Sequence, residues 1–284
     1  MATNQLPLEK MFAPRSIAVV GAAREAHKLG NIIVANIQTG GFRGEIYLIN
    51  PHAEVIRGLH CFPDYANLPK VPDLAILALP ADLALEVIPG IAQKGTKQLL
   101  IFAAGFKEIG AEGIEREQKL ISLAAKYGLS IVGPNCLGFV NNVNQLNATF
   151  GQAEHTMGNV RFISQSGAIA TGMFDWAHLT GVGFSDFVTL GNKTVLDEID
   201  VLEYWLKRQD NVVVQDYLKN TPGISHYQPV GLYLESIRDG QKFVKIAAEL
   251  GKKNPLFILK PGKSDAAQKP CNLIPGRWRT MTRC

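Results

Sequence analysis

The stretch Ser164-Gln165-Ser166-Gly167 closes an apolar run, VRFI, and opens a helical pattern that reaches to about residue 179. A strand that stops there and a helix that starts there aim several backbone amides and two hydroxyls at one spot, the chemistry of a phosphate cradle. A plain serine N-cap gives the same local pattern. A second turn of this kind follows SIAVV, where Gly21 ends a strand and Gly30 opens a helix over 28–39. Amides and the positive helix end again face an anion. GxGxxG is missing, and the next strand ends in Asn50-Pro51, not in the acidic residue that would hold an NAD ribose. A nucleotide-like ligand other than NAD therefore fits this turn. Glu235 leaves the run VGLYL. A carboxylate placed there can accept the Nδ1 proton of an imidazole and free the other nitrogen for attack, although a solvated turn glutamate looks the same. Cys136 has no histidine beside it in the sequence and reads as a small buried hydrophobe.

These residues need a scaffold that brings strand ends together. Apolar runs alternate with helical patterns: SIAVVGA, then 28–39; EIYLIN; LAILALP, then 82–94; QLLIFAAG, then 112–127. Near-continuous Val, Ile, Leu and Ala runs suit strands buried on both faces, so the fold class is α/β with parallel, doubly wound sheets. Right-handed crossovers gather the loops at the strand C-terminal ends along one edge. A second series follows the Gly128 turn: SIVGPN, VRFISQS with a helix over 167–179, FSDFVTLG with a helix over 196–207, PVGLYLES with a helix over 240–251, and PLFILKPG, five strands in all. The segment 216–229, with Pro222, Gly223 and Pro229, reads as an inserted surface loop.

Composition narrows the function. The chain has 284 residues, 46% of them apolar, enough for two cores. No run approaches the roughly 20 apolar residues of a membrane span, and the start lacks a signal-peptide layout, so the expected location is cytoplasmic. The four cysteines lack metal or disulfide spacing, and no metal site is expected. The formal charge of +4 includes Arg277, Arg279 and Arg283 in the last fifteen residues, so the rest of the chain offers no nucleic-acid footprint.

Nine blocks, among them FAPRSIAVVGAA, YLINP, DLAILALPA, AAGFKEIG, GPNCLGFVN, FISQSGAIATGMFDWA, GFSDFVTLGNKTVLDEIDVLEY and LYLESIRDGQKF, together resemble the NDP-forming acyl-CoA synthetases. That superfamily includes the ADP-forming acetate–CoA ligases and the alpha subunit of succinyl-CoA synthetase. The resemblance implies a Rossmann-type CoA-binding domain over 1–127 followed by a flavodoxin-like, succinyl-CoA synthetase-like domain over 128–269. It implies a ligase that converts acyl-CoA, phosphate and ADP to acid, CoA and ATP through an acyl phosphate and a phosphohistidine. By motif, Gly21, Ala22, Ala23 and Lys28 should meet the CoA diphosphate and adenylate, with Asn50, Pro51 and Pro80 on the same edge. Lys28 also reads as a solvated helix-start lysine. Asn135 should donate to the thioester carbonyl, Ser164, Gln165, Ser166 and Gly167 should hold phosphate, and Glu235 should orient the histidine. ADP, ATP and Mg would enter through an ATP-grasp beta subunit or downstream domain, in an oligomer. The rival reading is a non-catalytic CoA-sensing module, or the N-terminal part of an acetyltransferase-fused lysine-acetylating regulator.

The histidines are His27, His52, His60, His155, His178 and His226, and none follows the fifth strand, where the family carries a block close to SHTGSLAG. One base lost at the codon of Lys269 accounts for this. A message compatible with residues 269–284, with one adenine restored, reads KAMQSHTGSLADDDAV. The expectation is a frameshifted tail over 270–284 with Ile274 at the phosphohistidine position, poorly packed, leaving a sheet face exposed, lowering solubility and leaving the chain inactive by itself.

Overall fold

The computed structural model describes residues 8–151 and 156–261. A single helical turn, α1 (Glu9–Phe12), precedes β1 (Ser16–Val20), which is buried along its whole length as the centre of a sheet covered on both faces. Then follow α2 (Leu29–Thr39), β2 (Glu45–Ile49), β3 (Val55–Ile56), β4 (Leu59–Phe62), β5 (Leu74–Leu77), α3 (Ala81–Lys94), β6 (Gln98–Ile101), α4 (Ala111–Tyr127) and β7 (Ser130–Val132). They form a seven-stranded sheet in the order β3-β4-β2-β1-β5-β6-β7, parallel except for the β3–β4 pair. From β1 the chain runs to β2 on one side and later to β5 on the other. The crevice at the C-terminal ends of β1 and β5 is thus a topological switch point, where open α/β sheets bind ligands.

The second sheet contains β8 (Gly138–Asn141), β9 (Leu146–Thr149), β10 (Met157–Ser164), β11 (Phe184–Thr189), β12 (Val230–Tyr233) and β13 (Leu256–Leu259), in the order β13-β12-β10-β11-β8-β9. Its helices are α5 (Gly167–Thr180), α6 (Glu198–Arg208), α7 (Val212–Asn220) and α8 (Gly240–Gly251). Asp197 and Asp200 form a capping box that starts α6, and Asp239 caps α8.

Three sequence expectations need correction. The strand in SIVGPN pairs with β6 and completes the first sheet; it does not open the second. The second sheet gains an antiparallel pair, β8 and β9, so it has six strands where five were expected. Residues 216–220, read as loop, belong to α7, whose Val214 and Leu218 are buried one turn apart. The tail 270–284, with position 274, lies outside the described residues. On β13, Phe257 and Leu259 project to the same side and are 51% and 46% exposed.

The two sheets are joined by direct contacts. Asn36 of α2 donates to the carbonyls of Thr149 at 2.9 Å and Gly151 at 3.1 Å, and Phe12 packs between Phe139 and Tyr204 at ring distances of 5.1 and 5.2 Å. These contacts hold the C-terminal strand ends of both sheets around one cavity. Among the described residues no helix is long and apolar enough to cross a membrane.

Candidate active site between the two sheets

At the switch point Gly21 has φ +89°, and a Cβ there would lie 2.6 Å from the Ala78 carbonyl oxygen. Gly30 has no such backbone demand but packs so close that a Cβ would fall 2.0 Å from the Gly21 oxygen. Together the two glycines let the start of α2 lie on the end of β1. No side chain caps α2, whose N-cap is Lys28. Its first amides are therefore available to an anion. The turn is braced from behind: Asn50 donates to the Ala22 carbonyl at 2.7 Å, and Asn31 to that of Ala23 at 2.8 Å. Pro80 stands at the start of α3, beside the Ala78-Leu79 segment that packs on Gly21. Asn50 and Pro51 also line a cleft of about 650 Å³ with Arg24, His52 and Cys61. Sequence reasoning missed Arg24, although it directly follows Ala23. Lys28 is exposed and lies 3.4 Å from Glu25, which fits its reading as a solvated lysine.

A larger cavity, of about 900 Å³, opens between the sheets and brings together Asn135, Gln165, Ser166, Gly167 and Glu235. Asn135 has φ +56°, a strained value for a non-glycine residue, and its amide is held at 2.8 Å on the Ala103 carbonyl. Ser166 caps α5 by accepting from the Ile169 amide at 3.4 Å. Gln165 reaches across to β12: its Oε1 accepts from the amides of Glu235 at 2.9 Å and Ser236 at 3.1 Å. One side chain thus fixes the phosphate turn and the glutamate turn relative to each other. Ser164 departs from expectation. It is fully buried, its hydroxyl donates to the Ser166 carbonyl at 2.6 Å, and it braces the turn without lining the cavity.

Sequence patterns did not single out the cations. Lys193, with φ +53°, is buried and pairs with buried Glu198 at 2.7 Å while donating to the Ser236 carbonyl at 2.8 Å. Arg238 donates to the Lys193 carbonyl and lies 3.8 Å from Asp197. Lys107 pairs with Glu117 at 2.9 Å and donates to the Asn192 carbonyl at 2.6 Å. Each cation of the cavity is matched to a carboxylate, so the amides at the α5 N-terminus supply the uncommitted positive end. Among the described residues no histidine lines the cavity.

Cys136 lies at the cavity wall with its thiol turned inward, 3.5 Å from the Ile101 carbonyl, and burial pushes its pKa up to about 12. An unfolded cysteine ionises near about 8.5. Between those values the folded state keeps a proton that the unfolded state loses, so this thiol lowers stability as pH rises through the interval. Cys136 is expected to alkylate about a thousandfold more slowly than a free thiol at pH 8, rising to the free rate in denaturant. Peptide mapping after brief iodoacetamide treatment checks this, and rapid native labelling of Cys136 would overturn it.

Two family models match the chain in succession. The CoA binding domain family matches residues 15–142, and the succinyl-CoA ligase like flavodoxin domain family matches 157–276. The chain is 36% identical to acetate–CoA ligase (ADP-forming) I of Archaeoglobus fulgidus over 92% of its own length and 36% of the relative's. It is 35% identical to the alpha subunit of acetate–CoA ligase (ADP-forming) II of Pyrococcus furiosus, over 96% of its length and 56% of that subunit. Among solved structures, acetyl-coenzyme A synthetase 1 of Ca. Korarchaeum cryptofilum, in complex with phosphate and ADP, superimposes with a TM-score of 0.81 at 33% identity. That match covers 92% of this chain and 53% of the other. The chain thus spans between about a third and just over half of these relatives.

Proposed function

The chain belongs to the NDP-forming acyl-CoA synthetase superfamily, as the CoA-binding portion of an ADP-forming synthetase, and from that premise we propose that its cavity is where phosphate attacks an acyl-CoA thioester. CoA lies with its diphosphate on the Gly21–Lys28 turn and its adenylate end toward the Asn50-Pro51 cleft. The thioester reaches the cavity between the sheets. Phosphate sits beside Gln165 and Ser166 on the open amides of Gly167 and Ala168, where the α5 dipole favours an anion, the Gln165 amide being already donated to the Tyr233 carbonyl. Its oxygen attacks the carbonyl carbon, the carbon–sulfur bond breaks, and CoA leaves as the thiolate. Asn135 donates to the carbonyl oxygen as charge builds there. In the intact enzyme the acyl phosphate then passes its phosphoryl group to a histidine oriented by Glu235, releasing the acid as its carboxylate, and the phosphohistidine passes it to ADP; this chain has Ile274 where that histidine is expected. ADP, ATP and Mg belong to an ATP-grasp subunit or a further domain, and the relatives named as alpha subunits support such a partner. A cytoplasmic location fits this chemistry.

The observation that carries the reading is the convergence of Asn135, the α5 N-terminal turn and Glu235 on one cavity, although they lie far apart in sequence. A CoA-sensing module would need the first cleft alone.

Calorimetric titration tests the binding half. CoA and acetyl-CoA are expected to bind, with affinity falling as salt rises, while NAD at equal concentration gives no heat and does not displace CoA. Tight NAD binding with CoA excluded would overturn the reading.

A further inference from the structure

Asn192, on the turn after β11, lies at the wall of the cavity and its amide meets three groups. Its Nδ2 is 2.7 Å from Glu108 Oε2 and 3.0 Å from Glu117 Oε2, and its Oδ1 is 3.3 Å from Asn135 Nδ2. A carboxylate can only accept hydrogen bonds, so the edge of Asn192 that faces two of them must be its NH₂. Both carboxylates already have other N–H partners, which leaves Asn192 facing acceptors. Glu117 is 6% exposed and paired with Lys107. Partial burial works against the charge on Glu108, but the Asn192 amide and the backbone amides of Phe106 and Gly105 outweigh it and lower its pKa. Asn192 is therefore fixed one way round, with its oxygen toward Asn135.

That oxygen determines the orientation of Asn135 in turn. Reversed, Asn135 would set oxygen against oxygen; as it stands, its NH₂ lies toward Asn192 with one N–H committed and one free. The backbones beneath are clamped together as well. The Asn192 amide donates to the Pro134 carbonyl at 2.9 Å, and Gly191 passes so close that a Cβ would lie 2.2 Å from the same oxygen.

We propose that Asn192 is a positioning residue, which carries the negative charge of Glu108 and Glu117 into the orientation of Asn135 and so presents an N–H of Asn135 to the substrate's carbonyl oxygen. This rests on the reading that Asn135 donates to the thioester.

The test uses acetyl-CoA labelled with ¹³C at the carbonyl, bound to the full chain and observed by isotope-edited infrared spectroscopy. In the wild type the carbonyl band moves to lower frequency than in buffer, and in N135A the shift is lost. N192L, which removes the acceptor, is expected to lose most of the shift. Its preference for acetyl-CoA over CoA falls about threefold to tenfold, the value of one hydrogen bond. N192D keeps the acceptor and is expected to keep the shift, even though a third carboxylate beside Glu108 and Glu117 lowers its melting temperature. A residue that served only packing would give the opposite order, with N192D the more perturbed spectrum. N192A replaces N192L should the larger side chain prevent folding. A full shift in N192L or N192A, with N135A silent, overturns the role of Asn192. Equal bands in wild type and N135A, or no binding of acetyl-CoA to the wild type, overturn instead the reading on which it rests.

Discussion

Replacing Arg161 with alanine is expected to cost about 3–5 kcal/mol and to lower the melting temperature by roughly 6–20 °C. Arg161 is 1% exposed in the middle of β10 and lies 3.7 Å from Asp186 on the neighbouring β11. Its guanidinium stands 5.7 Å from the Trp205 ring. Burial opposes both charges: it pushes Arg161 down to about 10 and raises the Asp186 carboxyl above its ordinary range. The pair is therefore a weak source of net stability, yet removing one partner strands the other in a medium that cannot solvate it. R161M combined with D186L should recover most of the loss, because an apolar pair of similar volume carries no desolvation cost. Denaturant titrations of the three proteins decide the matter. An R161A melt within about 2 °C of wild type would show that water or another group takes over the role of Arg161.

The second large effect concerns ligand rather than stability. G30A should weaken CoA binding about tenfold to a hundredfold, because the added carbon meets the Gly21 carbonyl oxygen at 2.0 Å and neither backbone can yield without opening the turn. Overpacking at a site this tight also costs about 1–3 kcal/mol of stability. G90A is the control: Gly90 lies within α3, a Cβ there meets no atom within 4 Å, and alanine should stabilise by about 0.5–1 kcal/mol without touching CoA affinity. Titrating CoA into both variants separates a lost phosphate turn from general damage. An unchanged affinity in G30A would mean that the diphosphate does not lie on this turn.

Most of the element inventory was legible from short-range pattern. The helices read over 28–39, 82–94, 112–127 and 240–251 differ from the observed ones by no more than a residue at either end, because their apolar spacing and their glycine and aspartate boundaries are local signals. The partner of a strand is a different kind of fact. SIV carries the same apolar signature whichever sheet receives it. It joins β6 because the crossover through α4 delivers it there, after which the chain turns at Gly133-Pro134 into the second unit. The strand β8 lies in GPNCLGFVN, quoted for its resemblance alone, and β9 was not read as a strand. Their buried asparagines, Asn141 and Asn147, break the usual apolar reading and are satisfied by hydrogen bonds that the fold provides.

The site divides along the same line. Sequence alone determined which residue types stand at strand ends, the two glycine turns, the serine turn and Glu235, because turn chemistry and helix starts are written in neighbouring residues. Only the tertiary structure decided that Gln165 clips the glutamate turn, that Ser164 braces where it was expected to bind, and that Lys193, Lys107 and Arg238 are already matched to carboxylates. The reason is reach. Hydrogen bonds and ion pairs act over a few ångströms: Gln165 and Glu235, 70 positions apart, meet only once their strands are paired, and the nearer pairs Lys193–Glu198 and Lys107–Glu117 depend on how the fold shapes the turns between them.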